Sequence, residues 1–258
     1  EVINRVNSNG VDKVVLARDI VANSDSEIDA RPILKKLSSE YPSTWVFSVD
    51  GLVGATPELL LRLSRGMVTS RVLAGTIPKT GDDEKDLALA ASLARSSKDL
   101  EEHEYAVRSV ADALEPFCSS TNVPDAPFVL HLANVMHLAT DVTGALLESK
   151  HHVDAFALLK SLHPSAAVCG TPRNIAFDVI DEIEGMNRGR YAGPVGWVSA
   201  DGSGELAIAL RGGIIETQGN QVVVRAIAGC GIVAESDPQA ELAETELKFR
   251  AVRYAFEN

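Results

Sequence analysis

No run of ~18 uninterrupted apolar residues, the length a membrane-spanning helix needs, occurs anywhere in this 258-residue chain. Cysteine is scarce: Cys118, Cys169 and Cys230 stand far apart, with no CxxC pair. An odd, sparse set supports neither a disulfide framework nor a zinc knuckle, and a reducing, cytoplasmic setting is expected. The GxGxxG and GxxxxGK[ST] strings that cradle nucleotide phosphates are missing. So are internal repeats and low-complexity tracts. Positive charge is in deficit as well, with 24 Lys and Arg against 36 Asp and Glu and a formal net charge of −12. Nucleic acid and anionic membranes need a basic footprint, so neither is expected as a partner. An anionic substrate would need a divalent cation, or local Arg and Lys, to overcome the general field. The opening EVINRVNSNG has neither a basic n-region nor an apolar stretch, so no signal peptide is read there. Starting without Met and close to the first strand pattern, the chain is expected to lack an amino-terminal part.

What remains is ordinary globular composition, 45% hydrophobic and 23% charged, enough for one catalytic domain over 1–258 with a real core. Strand patterns come first: KVVLARDIVA from Lys13, WVFSVDG from Trp45, then LVGATPELLLRLS, which turns at Arg65–Gly66 into MVTSRVLAGT. Helical periodicity runs from Asp83 to about Leu114, with a second start at Ser96, whose spacing to Asp99 suits a capping box. FVLHLANVMHLATDVTGAL reads as a long strand-rich stretch. Helices are expected over Val153–Leu162 and Pro172–Glu184, the latter with Thr171 as N-cap, proline at its first position and Gly185 after its end. GPVGWVS, GELAIALRGGIIET and QVVVRAIAGCGIV read as three strands linked by turns at Asp201–Gly202 and Gly219–Asn220. A final helix opens at Asp237-Pro238 and runs toward Tyr254. Strands grouped as hairpins, not alternating with helices, predict an α+β fold of largely antiparallel sheets flanked by helices.

Several residues invite a chemical reading. Asp99 and Glu102 share one helix face, as do Glu241 and Glu244, with Lys248 one turn beyond. Facing each other, these pairs would suit Mg²⁺, a hard cation that keeps several waters, although charged helix faces are commonly just solvated. Lys13 opens an apolar strand. Desolvated there, it would be a neutral amine able to act as a base, and on an edge strand it would instead block aggregation. In GATPELLLRLS, alternation puts Glu58, Leu60 and Arg62 on one face. His131 and His137, six apart, point to the same side of a strand without a third zinc-type ligand. The glycine-rich turn AIAGCGIV, with Gly229 and Gly231, can bring backbone N–H groups to an anion or merely permit a bulge. Arg211 lies inside an apolar strand, where a buried guanidinium requires a carboxylate from protein or ligand.

In order, the strings GVDKVVLAR, GATPELLLR, LAGTIP, SSKDLEEHE, HLAT, LHPSAAVCGTP, RGRYAGPVGW, GELAIALRGG and AGCGIVAESDPQAELAETELK cover nearly the whole chain. Together they resemble the chorismate-converting family of isochorismate, salicylate, anthranilate and aminodeoxychorismate synthases. The resemblance implies the anthranilate synthase component I-like fold, with its site in a cleft between antiparallel sheets and helices. It implies Mg²⁺ on Glu102 and Glu244, with Asp99 and Glu241 behind them through water, taking the ring carboxylate of chorismate. Tyr191, Arg211 and the backbone around Gly229 would hold the enolpyruvyl carboxylate. Gly75, Thr76, His137 and Lys248 match further pocket positions. Lys13 would be the base that activates water, and Glu58 the acid. Ala74 stands where aminodeoxychorismate synthases resemble each other in carrying lysine, and Lys13 where ammonia-using members have glutamine. HPSAAVCGTP and YAGPVGW resemble isochorismate synthases most. The expected activity is therefore isochorismate synthase. The nearest alternative is salicylate synthase, followed by anthranilate synthase component I and a non-catalytic chorismate-binding relic. A monomer is the family-like expectation, and neither the menaquinone nor the siderophore pathway is singled out.

Overall fold

The computed structural model describes residues 1–8, 10–150, 153–219 and 221–257. In chain order, α1 (Val2–Asn7) precedes β1 (Lys13–Ser24), and α2 (Ala30–Glu40) leads into β2 (Trp45–Val49), β3 (Leu52–Thr56), β4 (Leu59–Ser64) and β5 (Met67–Pro78). Helices α3 (Asp83–Leu93) and α4 (Ser97–Leu114) follow, then β6 (Cys118–Asn122), β7 (Phe128–His131) and β8 (Val135–Leu146). After α5 (Ala155–Leu162), the short β9 (Gly170–Thr171) and α6 (Arg173–Glu184) come β10 (Pro194–Val198), β11 (Gly204–Ile208), β12 (Gly212–Gln218), β13 (Gln221–Ile232) and α7 (Pro238–Phe256).

The strands form two antiparallel sheets. One has the order β2-β3-β12-β13-β1-β9, the other β10-β11-β4-β5-β8-β6, with β7 also paired to β8. The largest buried cluster joins α4 and α5 to the second sheet through Leu61, Val68, Ala106, Leu114, Val142 and Leu158. On the first sheet, α7 packs Phe249 and Val252 against Ala226 and Ala228 of β13.

Two segments that read as single strands are each broken in two and shared between the sheets. LVGATPELLLRLS leaves the first sheet after Thr56 and enters the second at Leu59. GELAIALRGGIIET passes back the other way between Ile208 and Gly212. Pro57 offers no N–H to a ladder, and Arg211 sits in the left-handed region at φ 53. The two crossings are tied together, since Ile208 N–H donates to Glu58 O at 3.1 Å and Ala55 N–H to Arg211 O at 3.3 Å. The expected single face of Glu58, Leu60 and Arg62 therefore does not exist: Glu58 and Leu60 are buried, Arg62 is exposed, and the register shifts between Leu59 and Arg62.

Other boundaries follow their local chemistry. The Arg65–Gly66 turn has φ of 52 and 74, the positive pair of a type I′ hairpin. Ser96 caps α4 by accepting from Asp99 N–H, and Gly185 ends α6 in the left-handed region. Thr171 does not cap α6, because it is a strand residue paired with Lys13, and Pro172 takes the N-cap position instead. His131 and His137 lie on the two arms of a hairpin closed by Leu132 N–H to Val135 O, with His131 exposed and His137 buried. The AIAGCGIV glycines stand within β13, not in a turn. The turn read at Gly219–Asn220 falls partly outside the described residues. Helices α1 and α2 had no counterpart in the sequence reading. No described helix is long and apolar enough to cross a membrane.

Candidate active site

Glu58, Gly75, Thr76, Glu102, His137, Tyr191, Arg211, Gly229, Gly231, Glu244 and Lys248 line one cavity between the two sheets, whereas Lys13, Asp99, Glu241 and His131 do not. Lys13 begins β1 and is fully buried, which removes the aggregation-blocking reading. Its Nζ lies 3.3 Å from both the backbone oxygen and the Oε1 of Glu102. Gly231 opposes Val15 in the β1–β13 ladder and makes this contact sterically possible. A Cβ there would stand 2.1 Å from Glu102 Oε1 and 2.8 Å from Lys13 Cε. Gly229 has a parallel reason to be glycine, with a Cβ falling 2.6 Å from the Leu16 carbonyl oxygen.

Glu58 occupies the first crossing and is 5% exposed. Burial raises its carboxyl from 4.5 to about 7, against the opposing pull of Arg211, Lys13 and Lys248. At neutral pH a large fraction therefore carries a proton, as a general acid must.

Arg211, at the second crossing, points Nη2 at His137 Nε2, 3.1 Å away. His137 Nδ1 is 3.0 Å from the Gly75 carbonyl oxygen, which can only accept. Nδ1 therefore carries the hydrogen and Nε2 is the acceptor for the guanidinium. Burial, with Arg211 and Lys248 nearby, drops the His137 pKa to about 3 and keeps the ring neutral. Gly75 reaches this position through a bulge: the β5–β8 register shifts between Ala74 and Thr76, and Gly75 has φ 71. Thr76 Oγ1 lies 3.2 Å from the same His137 nitrogen.

Asp99 and Glu241 stand in the first turns of α4 and α7, where helix dipoles favour negative charge, and Glu102 and Glu244 follow one turn later. Burial raises the Glu102 pKa. Burial acts the same way on Glu244, but Lys248 outweighs it and holds Glu244 below the usual carboxylate value. Lys248 Nζ is 2.5 Å from Glu244 Oε1 and 2.7 Å from Gly229 O. Glu241 is buried outside the cavity lining and paired with Lys98. Asp99 packs behind Gly75, where a Cβ would meet it at 3.0 Å. Two buried carboxylates entering one cavity, with glycine-made room beside one of them, fit a divalent cation. Among the described residues no three His, Cys, Asp or Glu side chains converge. Such a pair suits Mg²⁺, which takes one or two carboxylates with waters and substrate oxygens.

Some structural contributors escaped the sequence reading. Arg188 bonds Glu184, Val15 O and Val168 O, while His163 Nε2 donates to Ala192 O at 2.8 Å. Together these fix the backbone on both sides of Tyr191, whose phenol burial raises its pKa. Their only sequence signal was membership of the strings LHPSAAVCGTP and RGRYAGPVGW. Lys98 was likewise visible only as the neighbour of Asp99.

With this fold, the chain belongs to the chorismate binding enzyme family, whose sequence model matches residues 1–257. It is 39% identical to isochorismate synthase MenF of Bacillus subtilis (strain 168) over 93% of this chain and 50% of that protein. The solved structure of the menaquinone-specific isochorismate synthase MenF from Escherichia coli superposes with a TM-score of 0.86 at 28% identity, over 99% of this chain and 59% of that one. Anthranilate synthase component I from Streptococcus pneumoniae TIGR4 superposes at 0.80 with 30% identity, over 96% and 54%. The antiparallel α+β architecture expected from the motifs is thus the one found. The chain spans about half the length of the Bacillus subtilis relative.

Proposed function

We propose that the chain is the catalytic part of an isochorismate synthase, converting chorismate to isochorismate reversibly. The observation that carries this is that Lys13 and Glu58 are both buried at one cavity, Lys13 against Glu102 and Glu58 in the lining that Glu102 shares. Lys13 takes a proton from water as the water oxygen bonds ring carbon 2. The ring double bonds shift, the bond from carbon 4 to its hydroxyl breaks, and Glu58 gives that oxygen the proton it needs to leave as water. One water enters and one departs, so the reaction is an isomerisation, and in reverse the two groups exchange roles. Each is of the kind worth ~10²–10⁴-fold.

Glu102 and Glu244 would hold a divalent cation, whose positive charge would offset that of the ring carboxylate. Arg211, oriented by neutral His137, and the Tyr191 phenol face the enolpyruvyl carboxylate. Local cations and the metal thereby answer the charge problem raised by the net −12. The experiment is incubation with chorismate and Mg²⁺, without and with ammonium, followed by chromatography of the products. Isochorismate alone in both supports the reading. Salicylate with pyruvate assigns the salicylate synthase activity instead. Anthranilate appearing with ammonium overturns the argument from Lys13.

A further inference from the structure

Lys98 stands outside the cavity and outside the acid–base pair, yet it is the cation on which the carboxylate helices meet. It lies in the first turn of α4 and its ammonium bonds the Glu241 carboxylate in the first turn of α7. Glu241 is 4% exposed, so the pair is shielded from solvent screening on that side. The ammonium is also felt by Glu102 and Glu244. Lys13 meets Glu102 and Lys248 meets Glu244, so the protein's own charges there are partly in balance. An incoming divalent cation is attracted only by what that balance leaves over.

We propose that Lys98 is the positioning residue that sets the divalent-cation affinity of the Glu102/Glu244 site, by cancelling the charge of Glu241 behind it. This rests on the reading that Glu102 and Glu244 take the cation. Removing the ammonium leaves Glu241 as an uncancelled negative charge near the site and tightens cation binding. Removing the carboxylate leaves Lys98 uncancelled and weakens it. The effect of one such charge on a divalent cation, roughly 10 Å away across a partly solvated site of effective dielectric about 40, is about tenfold in Kd.

The test is calorimetric titration of the whole chain with Mg²⁺ alone, in the absence of substrate, with circular dichroism on each variant. Lys98→Gln is expected to lower Kd about tenfold, Glu241→Gln to raise it about tenfold, and the double variant to return close to the unmodified protein, on the same one-charge scale. Lys98→Arg, which keeps the charge, is expected to stay near the starting value. Should Lys98→Gln not fold, adding it to Glu241→Gln makes the same comparison without leaving a buried charge unpaired, and a tightening of about tenfold is again expected. A folded Lys98→Gln protein whose Kd is unchanged or weaker overturns the proposal while leaving the cation site standing. An unmodified protein that takes up no Mg²⁺ at all overturns the site and the proposal together.

Discussion

Replacing Glu58 by Gln should make the protein more stable above neutral pH and leave it unchanged in acid. Glu58 holds its proton up to about 7 in the folded protein, whereas an unfolded glutamate gives it up near 4.5. The stability this proton contributes is fully present below pH 4.5 and is lost as pH rises to about 7. The folded form must then carry a charged carboxylate almost out of reach of water. The span from 4.5 to about 7 corresponds to about 3 kcal/mol. The pull of Arg211, Lys13 and Lys248 is already contained in it. Glutamine has the same shape and no charge to desolvate. The variant and the unmodified chain should therefore melt together at pH 4.5, and the variant should melt roughly 6–12 °C higher at pH 8, given the slope of Tm with stability for a chain of this size. Melting both proteins by circular dichroism across this range makes the comparison. Groups such as His137 and His103 titrate in both proteins and cancel in the difference. A Tm difference that does not change with pH would refute the burial argument, and with it the assignment of Glu58 as the proton donor.

Three further outcomes are expected. Lys13→Met, which keeps the apolar stem and removes the amine, should lower turnover by ~10²–10⁴-fold with chorismate binding by calorimetry nearly unchanged; loss of both in equal measure counts against the base assignment. His137→Leu should raise KM by about tenfold, the scale of one hydrogen bond to a charged group, because Arg211 loses its acceptor; an unaltered KM would mean that Arg211 holds its own position. Gly231→Ala should cost about 1–3 kcal/mol of overpacking and weaken Mg²⁺ binding, since its Cβ falls 2.1 Å from Glu102 Oε1. Urea titration and calorimetry measure the two effects, and a variant with native stability and native Mg²⁺ affinity would contradict the contact.

Periodicity and capping made α3, α4 and α7 legible in the sequence because their signals are local. Ser96 and Asp237 announce a helix start wherever the chain goes. The crossings were not legible, because LVGATPELLLRLS and GELAIALRGGIIET remain apolar as they pass from one sheet to the other. Only the partner strands, far away in sequence, decide where each run must break. Thr171 illustrates the same limit: a serviceable N-cap residue is drawn into pairing with Lys13 by β1. For the site, Arg211 was suggestive as a guanidinium inside an apolar strand, whereas Lys13 and Glu58 had ordinary readings of their own, and their roles acquired meaning only through the order of the family strings. The His137 tautomer and the Lys98–Glu241 pair lay beyond any one-dimensional reading. Both depend on which atoms face each other across elements distant in the chain.

The tie between the two crossings bears on how the protein comes to fold. The hydrogen bonds from Ile208 to Glu58 and from Ala55 to Arg211 link parts of the chain that must close a very long loop before they can meet. Such contacts are slow to form, since the entropy of loop closure is lost before any pairing compensates for it. Hairpins such as β4–β5 can form early and carry one wall of the cavity without closing it. The acid and the arginine come into register only once both sheets exist and the chain has passed between them twice. Catalytic competence in a refolding chain therefore reports completion of the whole topology, and partly folded forms, however rich in strand and helix, would be silent in an activity assay.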